Sequence, residues 1–194
     1  MDYDKKTNVK SKENKIMDEL IKLDETFSES KFKTKVDNIF VMLHISLMTK
    51  NLSRVDHFIS DEVYNEFNER LKQLNANNEV QMFDELNVKS TEIQNIEITD
   101  TEFIVNVKLI SRYMDYIIDA DSKKLIRGNN TSRIEKTNIL TFTKKRNFRV
   151  QGSVRKCPAC GANMNINNTG KCEYCGTIYN TEDYDWVLTK ITTN

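Results

Sequence analysis

A single proline and five glycines stand in 194 residues. So little chain punctuation argues against long disordered linkers. An excess of charge of one sign is also missing. The sequence has 29 Lys and Arg against 29 Asp and Glu, so net charge makes no case for a nucleic acid or a membrane surface. No long apolar run is present either. The longest, IFVMLHISLM from Ile39 to Met48, is interrupted by His44 and Ser46. It falls well short of the ~20 residues that a bilayer crossing needs. The first residues, MDYDKKTNVKSKENK, are polar and lead into no apolar stretch, so no secretory signal is expected. The expectation is a soluble, cytoplasmic chain, and in that compartment paired cysteines favour a metal over disulfides.

What is present is a charged surface over an adequate core, with 30% charged and 38% hydrophobic residues. The length suits one ordinary domain with a small extra module. Ile16, Leu20, Leu23 and Phe27 form a helical stripe, which fits a helix packed on its own domain or one offered to a partner. A second helix carries Val36, Ile39, Phe40, Leu43 and Leu47 on one face. A third begins at SDEVYNEF, where Ser60 is a natural N-cap and Asp61 and Glu62 suit the positive end of the helix dipole. Its apolar side is Val63, Tyr64, Phe67, Leu71 and Leu74, and NANNE, Asn75 to Glu79, ends it.

The period then changes to alternation. TEFIVNVKLI places Phe103, Val105, Val107 and Leu109 on one face, and the strand continues into SRYMDYII. STEIQNIEI reads as its antiparallel neighbour across the turn TDTE. RGNN, Arg127 to Asn130, reads as another turn, RIEKTNILTFTKK as a strand with Leu140 and Phe142 inward, and NFRVQGSV as the last strand. Helices followed by antiparallel strands define an α+β domain, closed by a curved, cone-like sheet wrapped over the helices. The expected division is an amphipathic helix within 1–29, the cone-like domain at 30–154, and a small C-terminal zinc ribbon with its tail at 155–194.

All the cysteines fall in CPACGANMNINNTGKCEYCG. Cys157 and Cys160 are spaced C-x2-C, as are Cys172 and Cys175, and a glycine follows each pair. Such pieces turn tightly enough to aim both sulfurs at one ion, and four thiolates suit tetrahedral Zn²⁺ in a closed, structural site. Iron is the competing ion for a four-thiolate set. A catalytic zinc would keep a position open for water, which four cysteines do not. After the ribbon, TEDYDWVLTKI carries Trp186, the one tryptophan. It is expected to pack on the ribbon or main domain, or to face a partner.

Charge is uneven locally. Lys123, Lys124, Arg127, Arg133, Lys136, Lys144, Lys145, Arg146, Arg149, Arg155 and Lys156 share one stretch with Glu135 as its only acid. A basic face beside the ribbon would take an anionic ligand, either nucleic acid or acidic lipid headgroups at a membrane surface. The alternative is a solvated face, or one docked on the acids of the third helix. Residues for acid–base chemistry are His44, Asp56, His57, Tyr64, Tyr113 and Asp115. No Gly-rich phosphate loop and no Ser-centred nucleophile motif accompanies them, so an enzyme is not expected.

The helix-then-sheet order with CPACGANM, GKCEYCG and DYDWVLTKI resembles bacterial zinc-ribbon proteins that carry a Tim44-like domain, over about Ser30 to Ile191. The resemblance implies a fold like the nuclear-transport-factor-two cone, with a pocket between helices and sheet. It implies protein-binding adaptors rather than enzymes, and zinc ligands at Cys157, Cys160, Cys172 and Cys175. The function expected is therefore a non-enzymatic zinc-binding adaptor with a protein partner, docking through Ile16, Leu20, Leu23, Phe27 or Trp186. Anion binding through the basic stretch is the first alternative and a cone-pocket enzyme the second.

Overall fold

The computed structural model describes residues 15–146, 155–156, 162–164, 174 and 185–193. Helix α1 covers residues 15–23, α2 runs Glu29–Thr49, a 3-10 turn covers Asp56–Phe58, and α3 runs Asp61–Ala76. The strands are β1 Glu79–Ile98, β2 Glu102–Asp119, β3 Leu125–Lys145, β4 Arg155–Lys156, β5 Asn163–Met164 and β6 Val187–Thr193. The main sheet is antiparallel with order β1-β2-β3-β6, and β4 and β5 form a separate pair. A curved four-strand sheet behind leading helices makes an α+β, cone-like domain.

The helices form for local reasons. Ser60 caps α3 by accepting from the Val63 amide at 3.4 Å, and Asp61 and Glu62 occupy its first turn. Lys50 closes α2 in the left-handed conformation, with its amide turned back onto Leu47 and Ser46 carbonyls. One face of α2, with Phe32, Val36, Ile39, Phe40, Leu43 and Leu47, is buried against the sheet. Each such side chain contributes about 1.5–3 kcal/mol when fully buried. The facing strand residues are Phe103, Val105, Val107 and Leu109, all buried at period two. Leu140 and Phe142 of β3 turn inward beside them.

Three expectations need correction. The chain expected to accompany the ribbon at 155–194 is divided: Val187–Thr193 is the fourth strand of the main sheet, paired with Asn138–Thr143. Trp186, Val187 and Leu188 are buried there because an edge strand over an apolar sheet needs its own inward side chains. The stretch between Arg146 and Asp185 is therefore an insertion between neighbouring strands, and the boundary after residue 154 does not separate a domain from its tail. Arg127 to Asn130 is not a turn between strands; it lies within β3, and the reversal sits at residues 120–124. Finally, β1 begins at Glu79, eleven residues before Ser90, directly after the turn at Asn77 and Asn78. Residues 147–154, read as a last strand, lie outside the described residues.

The Arg127–Asn130 signal was physical all the same. Between the pairs Tyr113↔Ile134 and Asp115↔Asn129 the register jumps, so β3 loops out. Asn129 Oδ1 holds that loop by accepting from the amides of Thr131 and Ser132 at 2.8 and 2.9 Å. Just before it, Gly128 has φ +90°, and a Cβ there would lie 2.4 Å from the Asp115 carbonyl oxygen.

Candidate functional site

The stripe of α1 is partly core. Leu20 is fully buried, Phe27 is buried, and Ile16 packs partly buried against the same cluster, whereas Leu23 is 46% exposed. Trp186 is buried, edge-on to Phe27 at 5.8 Å and Phe32 at 5.0 Å. Lys144 Nζ donates to Asp24 Oδ2 at 2.6 Å, fixing the end of α1 to β3. Leu20, Phe27 and Trp186 are thus internal fasteners in this structure, because these large apolar groups find each other before any partner does.

The basic stretch does not form one face. Arg127 donates to both carboxylate oxygens of Glu79, at 2.6 and 2.7 Å. Arg133 lies 3.2 Å from Glu85. Arg146 donates to the Thr99 carbonyl and sits over the Phe103 ring at 5.4 Å. Lys144 meets Asp24 just after α1, whereas Lys145 lines a groove with Asp61 and Glu62 at the start of α3. Lys123 donates to the Ala120 carbonyl at 2.5 Å and, after the Ser122 hydrogen bonds, helps hold the Asp119 carboxyl below its usual range. Lys124 and Lys136 form no ion pair among the described residues. Glu79 and Glu85 of β1 and Asp24 after α1 answer Arg127, Arg133 and Lys144, pairings that only the sheet register reveals. Arg149 lies outside the described residues, and nothing is described of the Arg155 and Lys156 side chains.

Sequence reasoning missed a free edge. β6 covers β3 only from Asn138 to Thr143. From Leu125 to Glu135 every residue of β3 is exposed, and among the described residues no strand pairs with that side. Leu125, Ile126 and Ile134 are 46%, 45% and 37% exposed there. Lys123, Lys124 and Lys136 flank them. The signal was available in part: Leu125 and Ile126 stand in a segment with no alternation to bury them.

His44 and Tyr113 do meet, and the Asp115 charge acts on both. His44 on α2 is buried, its ring 4.2 Å from Phe40, 4.5 Å from Phe83 and 5.4 Å from Tyr113. Its Nδ1 lies 2.8 Å from the Phe40 carbonyl, which requires a proton on Nδ1. Burial lowers its pKa to about 4, so the ring is neutral, and burial raises the Tyr113 phenol to about 12. Gln81 is the bolt of this region. Its amide nitrogen donates to Asp115 Oδ1 at 2.9 Å and to the Tyr116 carbonyl at 3.0 Å, and its oxygen accepts from Arg70 at 2.6 Å. Tyr64 is only partly buried at the edge of the core. Asp56 and His57 sit in the 3-10 turn with Oδ1 and Nε2 3.4 Å apart, closer than sequence neighbours usually come.

A groove of about 250 Å³ lies at the start of α3, lined by Ser60, Asp61, Glu62, Glu102, Lys145 and Thr189 among others. No group of three metal-ligating side chains occurs among the described residues. Cys157, Cys160, Cys172 and Cys175 lie outside them. No described helix is long and apolar enough to cross a membrane.

Leading helices closed over a curved antiparallel sheet, with an aromatic core and a free strand edge, define a cone-like α+β protein. The chain belongs to the Tim44-like domain family, whose model matches residues 14–153. The match takes in α1, which the sequence resemblance had left out, and stops before β6. Among solved structures, the intermembrane space region of the chloroplast protein ARC6 is similar at a TM-score of 0.38 and 7% identity, over 83% of this chain and 95% of that one. No curated protein matches the sequence.

Proposed function

We propose that this protein is a non-enzymatic, protein-binding adaptor, and that it takes its partner on the open side of β3. The observation that carries this reading is the exposed run Leu125–Glu135. An unpaired strand edge offers backbone donors and acceptors to an extended segment. Leu125, Ile126 and Ile134 add apolar contact, and Lys124 and Lys136, which form no ion pair among the described residues, favour an acidic, apolar peptide over a basic one. The loop at Asn129 splits this edge into short stretches, which discourages indiscriminate pairing between copies. The basic stretch favours nucleic acid less, since Arg127, Arg133, Lys144 and Arg146 are engaged internally.

Family membership supports a binding role in place of catalysis. The reading includes a structural zinc ion held by Cys157, Cys160, Cys172 and Cys175. The donor set fits, since two C-x2-C pairs make a closed tetrahedral thiolate site. The pairing of Arg155 with Met164 and Lys156 with Asn163 also fits, because it brings together the chain on either side of the first cysteine pair. Such an ion would order the insertion between β3 and β6 rather than react.

The test is photo-crosslinking from position 126, with position 45 on α2 as control, because Ile45 is also exposed, at 38%. The expected result is a discrete adduct from position 126 alone, with a protein whose purified segment binds the full chain. Lys123→Glu with Lys124→Glu should weaken that binding at least tenfold. Equal labelling from both positions, or binding indifferent to the charge reversal, would remove β3 as the docking edge.

A further inference from the structure

The groove at the start of α3 stands where the chain leaves the main sheet and where it comes back. Asp61, Glu62 and Glu102 line its volume of about 250 Å³ with carboxylates, and Lys145 is the one base and Val187 the one apolar residue among its lining. The Ser60 hydroxyl holds the Glu62 carboxyl below the usual carboxylate range, so Glu62 is ionised at neutral pH. The groove therefore carries an excess of negative charge.

Both ends of the insertion are fastened to its walls. Lys145 stands opposite Glu102 in the β2–β3 ladder, and the next amide, that of Arg146, donates to the Thr101 carbonyl at 2.6 Å. That bond fixes the point of departure beside Glu102. On the return, Asp185 pairs with Lys35, and the Leu188 carbonyl accepts from the Ser60 amide at 2.9 Å. Val187 and Thr189, on either side of Leu188, line the groove. The residues that follow Arg146 are Asn147, Phe148, Arg149, Val150 and Gln151, and the chain has no further acid until Glu173. Arg149 comes four residues after Lys145, so even a fully extended chain keeps it within about 14 Å.

We propose that this groove is the docking site for the first residues of the insertion, 147–151, with the Arg149 guanidinium set among Asp61, Glu62 and Glu102. Its planar fork of donors suits carboxylates presented from two elements. A segment tied so closely to the groove meets it at high effective concentration. An anion would meet charge of its own sign there. Docking gives the insertion a set direction before its first cysteine pair, whether or not the cysteines hold a metal. It does not depend on β3 as a docking edge.

The experiment uses the full chain with a photo-crosslinking side chain in place of Thr189, and mass spectrometry to map the adduct. The expected product is an intrachain link to 147–151, in a yield that is independent of protein concentration and falls as salt is raised. Arg149→Glu should lower that yield about fivefold, and adding Glu102→Arg or Asp61→Arg should restore it. Emission from the buried Trp186 serves as the check that the domain stays folded in each variant. Links only to other parts of the chain, or a yield indifferent to Arg149→Glu, would overturn the proposal. Links that grow with protein concentration would overturn it too, because the occupant would then be a second copy.

Discussion

Lys144 Nζ and Asp24 Oδ2 stand 2.6 Å apart with side chains only 14% and 8% exposed, joining the end of α1 to β3 across 120 residues of sequence. Asp24 Oδ1 is also held, by the Thr26 hydroxyl at 2.6 Å. Removing one member of so buried a pair leaves the other charge without compensation, a loss of about 3–5 kcal/mol. Lys144→Met should therefore lower the melting temperature by roughly 10 °C. Adding Asp24→Asn should restore much of it. Calorimetry on the two variants decides this, and no recovery in the double variant would show that Lys144 acts through packing alone.

Gly128→Ala should damage one arm of the sheet selectively. The new methyl would meet the Asp115 carbonyl oxygen and the Tyr116 Cα at 2.4 and 2.6 Å, on a backbone with φ +90°. Both are backbone contacts, so no side chain can move aside, and the cost exceeds about 1 kcal/mol. Hydrogen exchange should speed up in 112–119 and 125–135 while α2 amides keep their protection. Uniform loss of protection would mean that the arm and the core unfold as one unit.

Acid should weaken the fold first through His44. Its native pKa is lowered to about 4 from an ordinary 6.5 because burial disfavours the charged ring. Between those values the unfolded chain takes up a proton that the folded one refuses, so stability falls as pH drops from 6.5 towards 4. The full contribution is about 3 kcal/mol. Below that window Glu79 acts in the same sense. Its carboxyl is held below the usual range by the Arg127 guanidinium, so its contribution is lost as pH falls through that lowered value. Urea midpoints from pH 7 to pH 3 should show both steps, and His44→Gln should flatten the upper one alone.

Trp186 reports on β6, since it is the sole tryptophan and is 4% exposed. Trp186→Ala should cost about 3–5 kcal/mol, as the loss of a buried aromatic does. In the intact chain, a chelator that strips the proposed zinc should leave the blue emission of Trp186 unchanged. The urea midpoint should fall only slightly, because tying the insertion changes loop length and each doubling is worth about 0.6 kcal/mol. A red shift on chelation without urea would mean instead that the insertion holds β6 in place.

Local sequence determined a good deal of this protein. The α2 stripe, the Ser60 cap, the Phe103–Leu109 alternation and the inward Leu140 and Phe142 are each written within a few residues, because side-chain period and capping chemistry are local. So is the α+β class, which follows from helical period giving way to alternation.

Other features depended on pairing across long separations. Nothing in DWVLTKI says that it returns past the insertion to become the strand beside Asn138–Thr143. That placement follows from the apolar edge of β3 needing a cover. Nothing local says that Arg127 answers Glu79 or that Lys144 answers Asp24, because ion pairing requires proximity and proximity is set by register. The same register leaves Leu125 to Glu135 uncovered where β6 runs out. It also brings His44 of α2 against Tyr113 of β2, so that two side chains distant in sequence pack ring to ring in the core.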